Sequence, residues 1–222
     1  KILLIDDENR PNLKNCIIVN GIKYFKKKLS KKKFIKLYQG PKYIILNKKF
    51  SKSYQNKIEN NVLIASGGTD KKNTLFKIIN LVKTFKNLRF YVIIGELVNK
   101  KNPINKIKSK NIFLIKNKTD LIKYYKKSRA CIVAGGIMLF EALSLNKIVY
   151  AIEVYNHQKY AINYLTQKKL ITKIGANKKI FKTKIINQLS QLSEIKQKKH
   201  NNIVDGLGLF RLENILKKYF NI

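Results

Sequence analysis

Two short stretches of this chain carry residues whose types and spacing suit phosphate chemistry. "VLIASGGTDKKN" sets Gly67, Gly68 and Thr69 between an apolar, β-branched run and a helical pattern. "CIVAGGIMLFE" does the same with Gly135, Gly136 and Ile137. Glycine lets the backbone approach a ligand closely, and the N–H groups of a helix starting there, at the positive end of its dipole, favour an anion. A tight strand-to-helix turn needs glycine in any case, so one pair says little. Two pairs at equivalent strand ends say more. Glu141 follows Gly136 by five residues, about one turn into the helix. A carboxylate there complements the dipole; its two acceptor oxygens also suit the vicinal hydroxyls of a ribose. A ligand meeting both turns and Glu141 would be a nucleoside diphosphate. Neither stretch is a GxxxxGK[ST] loop or a GxGxxG fingerprint, so ATPase and NAD-dehydrogenase functions lose their usual support.

These residues need a scaffold that presents both turns on one edge. From Asn61 onward short apolar runs alternate with helical patterns. Strands are expected at Val62–Ala65, Phe90–Ile94, Ile112–Ile115, Cys131–Ala134 and Ile148–Ile152. Helices are expected near Asn73–Phe85, Asp120–Lys127, Ile137–Leu145, Gln158–Lys168 and Lys182–Leu192. Such alternation predicts an α/β, Rossmann-like domain with a parallel sheet covered on both faces, its ligands beyond the carboxyl ends of the strands. Before it lie strands at Ile2–Ile5 and Cys16–Val19, then "GPKYIILNKKF"; a last helix, Leu209–Phe220, follows "VDGLG". The expected division is 1–57 as the remnant of an N-terminal domain and 58–204 as the main domain. Residues 205–222 form a helix returning towards the N-terminal part. Lys1 opens directly on a core-like strand, so the chain reads as a fragment with its N-terminal domain truncated.

Composition narrows the partners. The net charge of +36 first suggests nucleic acid, yet only four of the 48 basic residues are arginine. Arginine is preferred for bidentate phosphate and base contacts. Lysines spread from Lys1 to Lys218 among many Ile and Asn look like A/T-rich coding that fills tolerant surface positions, so nucleic-acid binding is not expected. Cys16 and Cys131 sit inside apolar runs without metal spacing, which predicts buried free thiols and no metal. No apolar segment approaches the roughly 18 residues that span a bilayer, and no leader pattern is visible; a cytoplasmic location is expected.

The segment "AGGIMLFEALSLNKIVYAI…NHQKYAINYL" resembles the C-terminal nucleotide-sugar-binding domain of GT-B glycosyltransferases of the lipid II-forming type (glycosyltransferase family 28). "LLIDDENRP", "GPKYIILNKKF", "ASGGTDKKN" and "VDGLGLFRLENIL" further resemble the UDP-sugar hydrolases of pseudaminic acid biosynthesis. The resemblance implies a GT-B-like fold of two Rossmann-like domains and a UDP-sugar substrate, with no cofactor. It places Gly67, Gly68 and Thr69 at the diphosphate, and Gly135, Gly136, Ile137 and Glu141 around phosphate and ribose. Asn156, His157 and Gln158 would lie on the sugar or phosphate side, and Asp6, Asp7 and Arg10 at an interdomain cleft. From the residues alone, His157 could equally be simply exposed, and Asp6-Asp7 could cap the next segment. The family has small hydroxyl residues where this chain has Ile137 and Met138, which leaves that phosphate contact to backbone N–H groups. Its catalytic histidine loop, GxGHxxR, is not present, in keeping with the fragment expectation.

The implied reaction is hydrolysis of the anomeric C–O bond of a UDP-linked 2,4-diacetamido-2,4,6-trideoxyhexose, with the histidine upstream of Lys1 as base. A glycosyltransferase with the same UDP site is the first alternative, passing the sugar to an acceptor. A non-catalytic fragment that binds nucleotide-sugar or polyanion is the second.

Overall fold

Runs of Ile, Val and Leu bounded by Asn and Gly build two separate sheets. In the computed structural model, residues 2–5, 15–21, 36–51, 59–70, 72–116, 120–176, 179–195 and 203–220 are described. The chain divides into two compact units, Lys1–Ser53 with His200–Ile222, and Tyr54–Lys199. In the first, β1 (Ile2–Ile5), β2 (Cys16–Asn20) and β3 (Lys36–Gln39) form a parallel sheet in that order. The middle strand, CIIVN, is buried along its whole length, as a strand flanked on both edges must be. The sequence gives little sign of β3: its KLYQ is an edge strand, only half-buried, with no apolar run.

The second unit holds β4 (Asn61–Ala65), β5 (Arg89–Ile93), β6 (Ile112–Ile115), β7 (Ala130–Ala134), β8 (Ile148–Glu153), β9 (Thr172–Ala176) and β10 (Lys179–Ile180). Its helices are α1 (Thr74–Val82), α2 (Ile122–Lys127), α3 (Ile137–Ser144), α4 (Lys159–Gln167) and α5 (Lys182–Ser190). The sheet order is β10-β9-β8-β7-β4-β5-β6. Successive strands after β4 are added on one side; after β6 the chain crosses back and adds β7, β8 and β9 on the other. All pairs are parallel except β9–β10, where Lys179 faces Ala176 across a two-residue connection that can only join antiparallel neighbours. Leu75, Ile78, Ile79 and Val82 recur at helical spacing on α1 and bury against Val62 and Ile64, alternate residues of β4. At the amino end of the sheet, the Arg129 N–H donates to the Asn61 carbonyl at 2.9 Å. The Arg129 guanidinium donates to the carbonyls of Leu192, Ser193 and Ile195.

Back in the first unit, α6 (Gly208–Phe220) packs Leu212 and Ile215 on Ile17 and Val19. The Asp205–Gly208 segment, which leads into the first residue of α6, is built for this packing. Gly206 takes φ +74°, a left-handed conformation that costs glycine nothing. Gly208 lies against Ile44, where an added Cβ would stand 1.9 Å from the carbonyl oxygen. Asp205 accepts from both terminal nitrogens of Arg211, at 2.8 and 2.5 Å, and Arg211 also donates to the Lys42 carbonyl at 2.7 Å.

Burial alone would raise the Asp205 carboxyl, but the Arg211 hydrogen bonds and the Leu207 N–H outweigh it and hold it below the usual carboxylate range. A carboxyl depressed in the folded state adds stability above its unfolded pKa of about 3.9, and that stability is lost as pH falls through the folded value. The melting temperature should therefore drop with acid below about pH 4, and Asp205→Asn should remove part of that drop. A variant whose acid profile matched the parent's would show that the pair does not contribute.

Among the described residues, no helix is long and apolar enough to cross a membrane.

Candidate nucleotide site

The reversal of strand order falls between β4 and β7. These two strands are direct parallel neighbours, with Ala65 opposite Val133. The loops that leave their carboxyl ends, one carrying Gly67-Gly68-Thr69 and the other Gly135-Gly136, therefore open side by side. In doubly wound sheets this crevice is where ligands bind.

The glycines there have different reasons to be glycine. Gly67 sits at φ +100° and Gly68 follows with open space where a Cβ would project. Gly136 likewise faces open space. Gly135 is buried, and a Cβ on it would come within 2.6 Å of Ile162 Cδ1 and 2.9 Å of Gln158 Cβ, so close packing of β7 on α4 accounts for that residue. Gly95, after β5, similarly makes room for the Gly68 backbone, 2.4 Å from where its Cβ would be.

The two helix starts also differ. Asp70, buried at 3 % exposure, accepts from the Thr74 N–H at 2.8 Å and the Leu75 N–H at 3.3 Å, and from the Ser66 hydroxyl at 2.8 Å. A carboxylate thus occupies the first turn of α1, where the sequence suggested N–H groups presented to phosphate. α3 has no such occupant. Its N-cap is Gly136, no side chain caps it, and its first turn contains no acid.

Glu141 stands in the second turn of α3, half-buried. Its Oε2 accepts from the hydroxyl of Tyr125 on α2 at 2.8 Å. Burial raises the Glu141 carboxyl and the Tyr125 hydrogen bond pulls it partly back. Behind it lie Cys131, a free thiol that burial pushes up to about 12, and Lys147, whose ammonium burial holds below its usual range.

The loop after β8 carries the third group. Asn156 and His157 are exposed; Gln158 is buried, its Oε1 accepting from the N–H groups of Val154 at 2.9 Å and Tyr155 at 3.1 Å. Gln158 therefore clamps its own loop rather than presenting its carbonyl oxygen outward. The His157 ring stacks on Tyr155, centroids 5.7 Å apart and 6° from parallel. From the β4–α1 loop, Lys72 donates to the Val154 carbonyl and sits over the Tyr155 ring at 5.2 Å, tying the first glycine loop to the third. Asp6, Asp7 and Arg10 lie outside the described residues.

No protein-family profile matches the chain. It is 24% identical over 237 residues to the spore coat polysaccharide biosynthesis protein SpsG of Bacillus subtilis (strain 168), covering 99% of this chain and 70% of that one. It superposes on the glycotransferase of kitacinnamycin with a TM-score of 0.60 at 10% identity, over 92% of this chain and 54% of that one. It superposes on the UDP-GlcNAc 2-epimerase from Neisseria meningitidis, bound to UDP-GlcNAc, with a TM-score of 0.52 at 21% identity, over 72% of this chain and 45% of that one. The fold is GT-B-like. The chain spans about half the length of both these solved enzymes.

Within the GT-B-like sheet, Gly67, Gly68, Thr69, Gly136, Ile137 and Glu141 all belong to the adjoining ends of β4 and β7 or to the helix that follows. Tyr125, Lys72 and Tyr155 were not singled out from the sequence. Lys72 is one lysine among many, and Tyr125 falls in a helix with nothing local to mark it. Only the pairing across helices picks it out.

Proposed function

We propose that the Tyr54–Lys199 unit binds the nucleotide of a UDP-sugar at the β4–β7 crevice, and that the parent protein is a GT-B enzyme that transfers the glycosyl group. The observation that carries this is the pair of adjoining loops with open space over Gly68 and Gly136, beside the uncapped start of α3 and the carboxylate of Glu141. In this arrangement the α3 N–H groups and dipole stabilise the diphosphate leaving group, and Glu141 takes the ribose hydroxyls. The likeness in fold to a glycotransferase and to an epimerase bound to UDP-GlcNAc supports a UDP-sugar as substrate.

The finer reading, hydrolysis of a UDP-linked diacetamido-trideoxyhexose, rests on the sequence motifs. One of them, "DGLGLFR", has a packing explanation: Gly206 for its positive φ, Gly208 for the approach to Ile44, and Asp205 for Arg211. It therefore does not separate water from another acceptor, and the transferase reading, which the relatives favour, stands first.

Calorimetry with UDP and ADP tests the site: UDP should bind with a Kd on the order of micromolar to millimolar, about −8 to −4 kcal/mol, and ADP more weakly. Equal or absent binding of both would sink it. Mass spectrometry of UDP-sugar turnover by the parent protein, with and without acceptor glycans, then tells glycoside product from free sugar.

A further inference from the structure

Glu141 is held by a residue of another helix. Tyr125 is fully buried, and a buried hydroxyl requires a partner. On α3 it meets Glu141 Oε2 at 2.8 Å and the Met138 carbonyl at 3.3 Å. The tyrosine ring alone would fill the same volume as phenylalanine, so the hydroxyl adds direction rather than packing. Hydrogen bonds to an ionised acceptor are the strong ones, and this one restricts a side chain that otherwise samples several rotamers.

We propose that Tyr125 is a positioning residue for ribose recognition: its hydroxyl, donating from α2, fixes the Glu141 carboxylate so that the 2′ and 3′ hydroxyls of the nucleotide meet it in one orientation. This rests on the nucleotide reading of the β4–β7 crevice. Among the described residues, Cys131 on β7 is the titratable neighbour that faces both Tyr125 and Glu141; Lys147, before β8, faces Cys131 and donates to the Lys126 carbonyl at 3.3 Å. Tyr125 donates to the carboxylate at 2.8 Å.

The test compares UDP with 2′-deoxy-UDP by calorimetry on the parent chain and on Tyr125→Phe. It also follows the Glu141 carboxyl by ¹³C NMR titration without nucleotide, and melting temperature checks that the variant is folded. The parent should prefer UDP. Tyr125→Phe should lose roughly three- to tenfold in UDP affinity, show a shrunken preference over the deoxy nucleotide, and titrate Glu141 at higher pH. An unchanged preference, or an equal loss for both nucleotides, would overturn the positioning role while leaving the nucleotide site standing. Failure of the parent to bind either nucleotide would instead overturn the nucleotide reading and the ribose role with it. The NMR titration would then still report whether Tyr125 and Glu141 are paired.

Discussion

Glu141→Gln should weaken UDP binding by about tenfold to a hundredfold and leave the melting temperature close to that of the parent. A hydrogen bond to a charged group is worth about 1.5–3 kcal/mol, which is the affinity range just given. Glutamine keeps the length of the side chain and an amide oxygen that still accepts from Tyr125, so the buried hydroxyl stays satisfied. If Glu141 served only to complement the α3 dipole, the change would cost at most about 1 kcal/mol of stability and no affinity. Calorimetry and thermal denaturation of the two proteins decide the matter. Unchanged affinity with a lowered melting temperature would make the acid structural.

Gly208→Ala should destabilise the Lys1–Ser53 and His200–Ile222 unit by about 3 kcal/mol, the upper part of the range for overpacking. The added methyl would stand 1.9 Å from the Ile44 carbonyl oxygen and 2.6 Å from its carbon. Both are backbone atoms, so no side chain can swing aside, and α6 must lift from the sheet that Leu212 and Ile215 cover. Hydrogen exchange reads this locally: amides of α6 and β2 should lose protection. Gly136→Ala is the contrast, since its methyl would enter open space and should cost little. Parental protection throughout α6 in Gly208→Ala would refute the packing argument.

The parts of this molecule legible in its sequence are those where local pattern and tertiary demand agree. The runs VLIA and CIVA are strands because β-branched residues buried on both faces have no competing helical period, and IFLI, at the sheet edge, is a short apolar run that pairs with β5. The edge strand β3 and the strand β9, beside the two-residue edge strand β10, were not legible: KLYQ and TKIGA are mostly half-exposed and carry no apolar run, and pairing to a formed neighbour makes them strands. In the candidate site, the glycine pairs and Glu141 could be picked out because strand-turn-helix spacing is a local property. That Asp70 occupies the start of α1, that Gln158 binds back on its own loop, and that Tyr125 meets Glu141 are contacts across four, three and sixteen residues. The first two lie within local reach, but Asp and Gln in a turn have many acceptable partners, and sequence does not choose among them.

The hydrogen bonds of Arg129 bear on how this unit could be moved between genes. The backbone of Arg129 holds the first residue of β4, and its guanidinium holds the carbonyls that follow α5, so the chain enters β4 and leaves α5 at the same end of the sheet. The glycine loops open at the other end. Chain ends that lie close together are what circular permutation and domain insertion require. The Tyr54–Lys199 unit, inserted in sequence between two segments of the other, has the topology of a cassette: its first strand starts, and the turn after its last helix lies, at the end of the sheet away from the crevice that would hold a ligand.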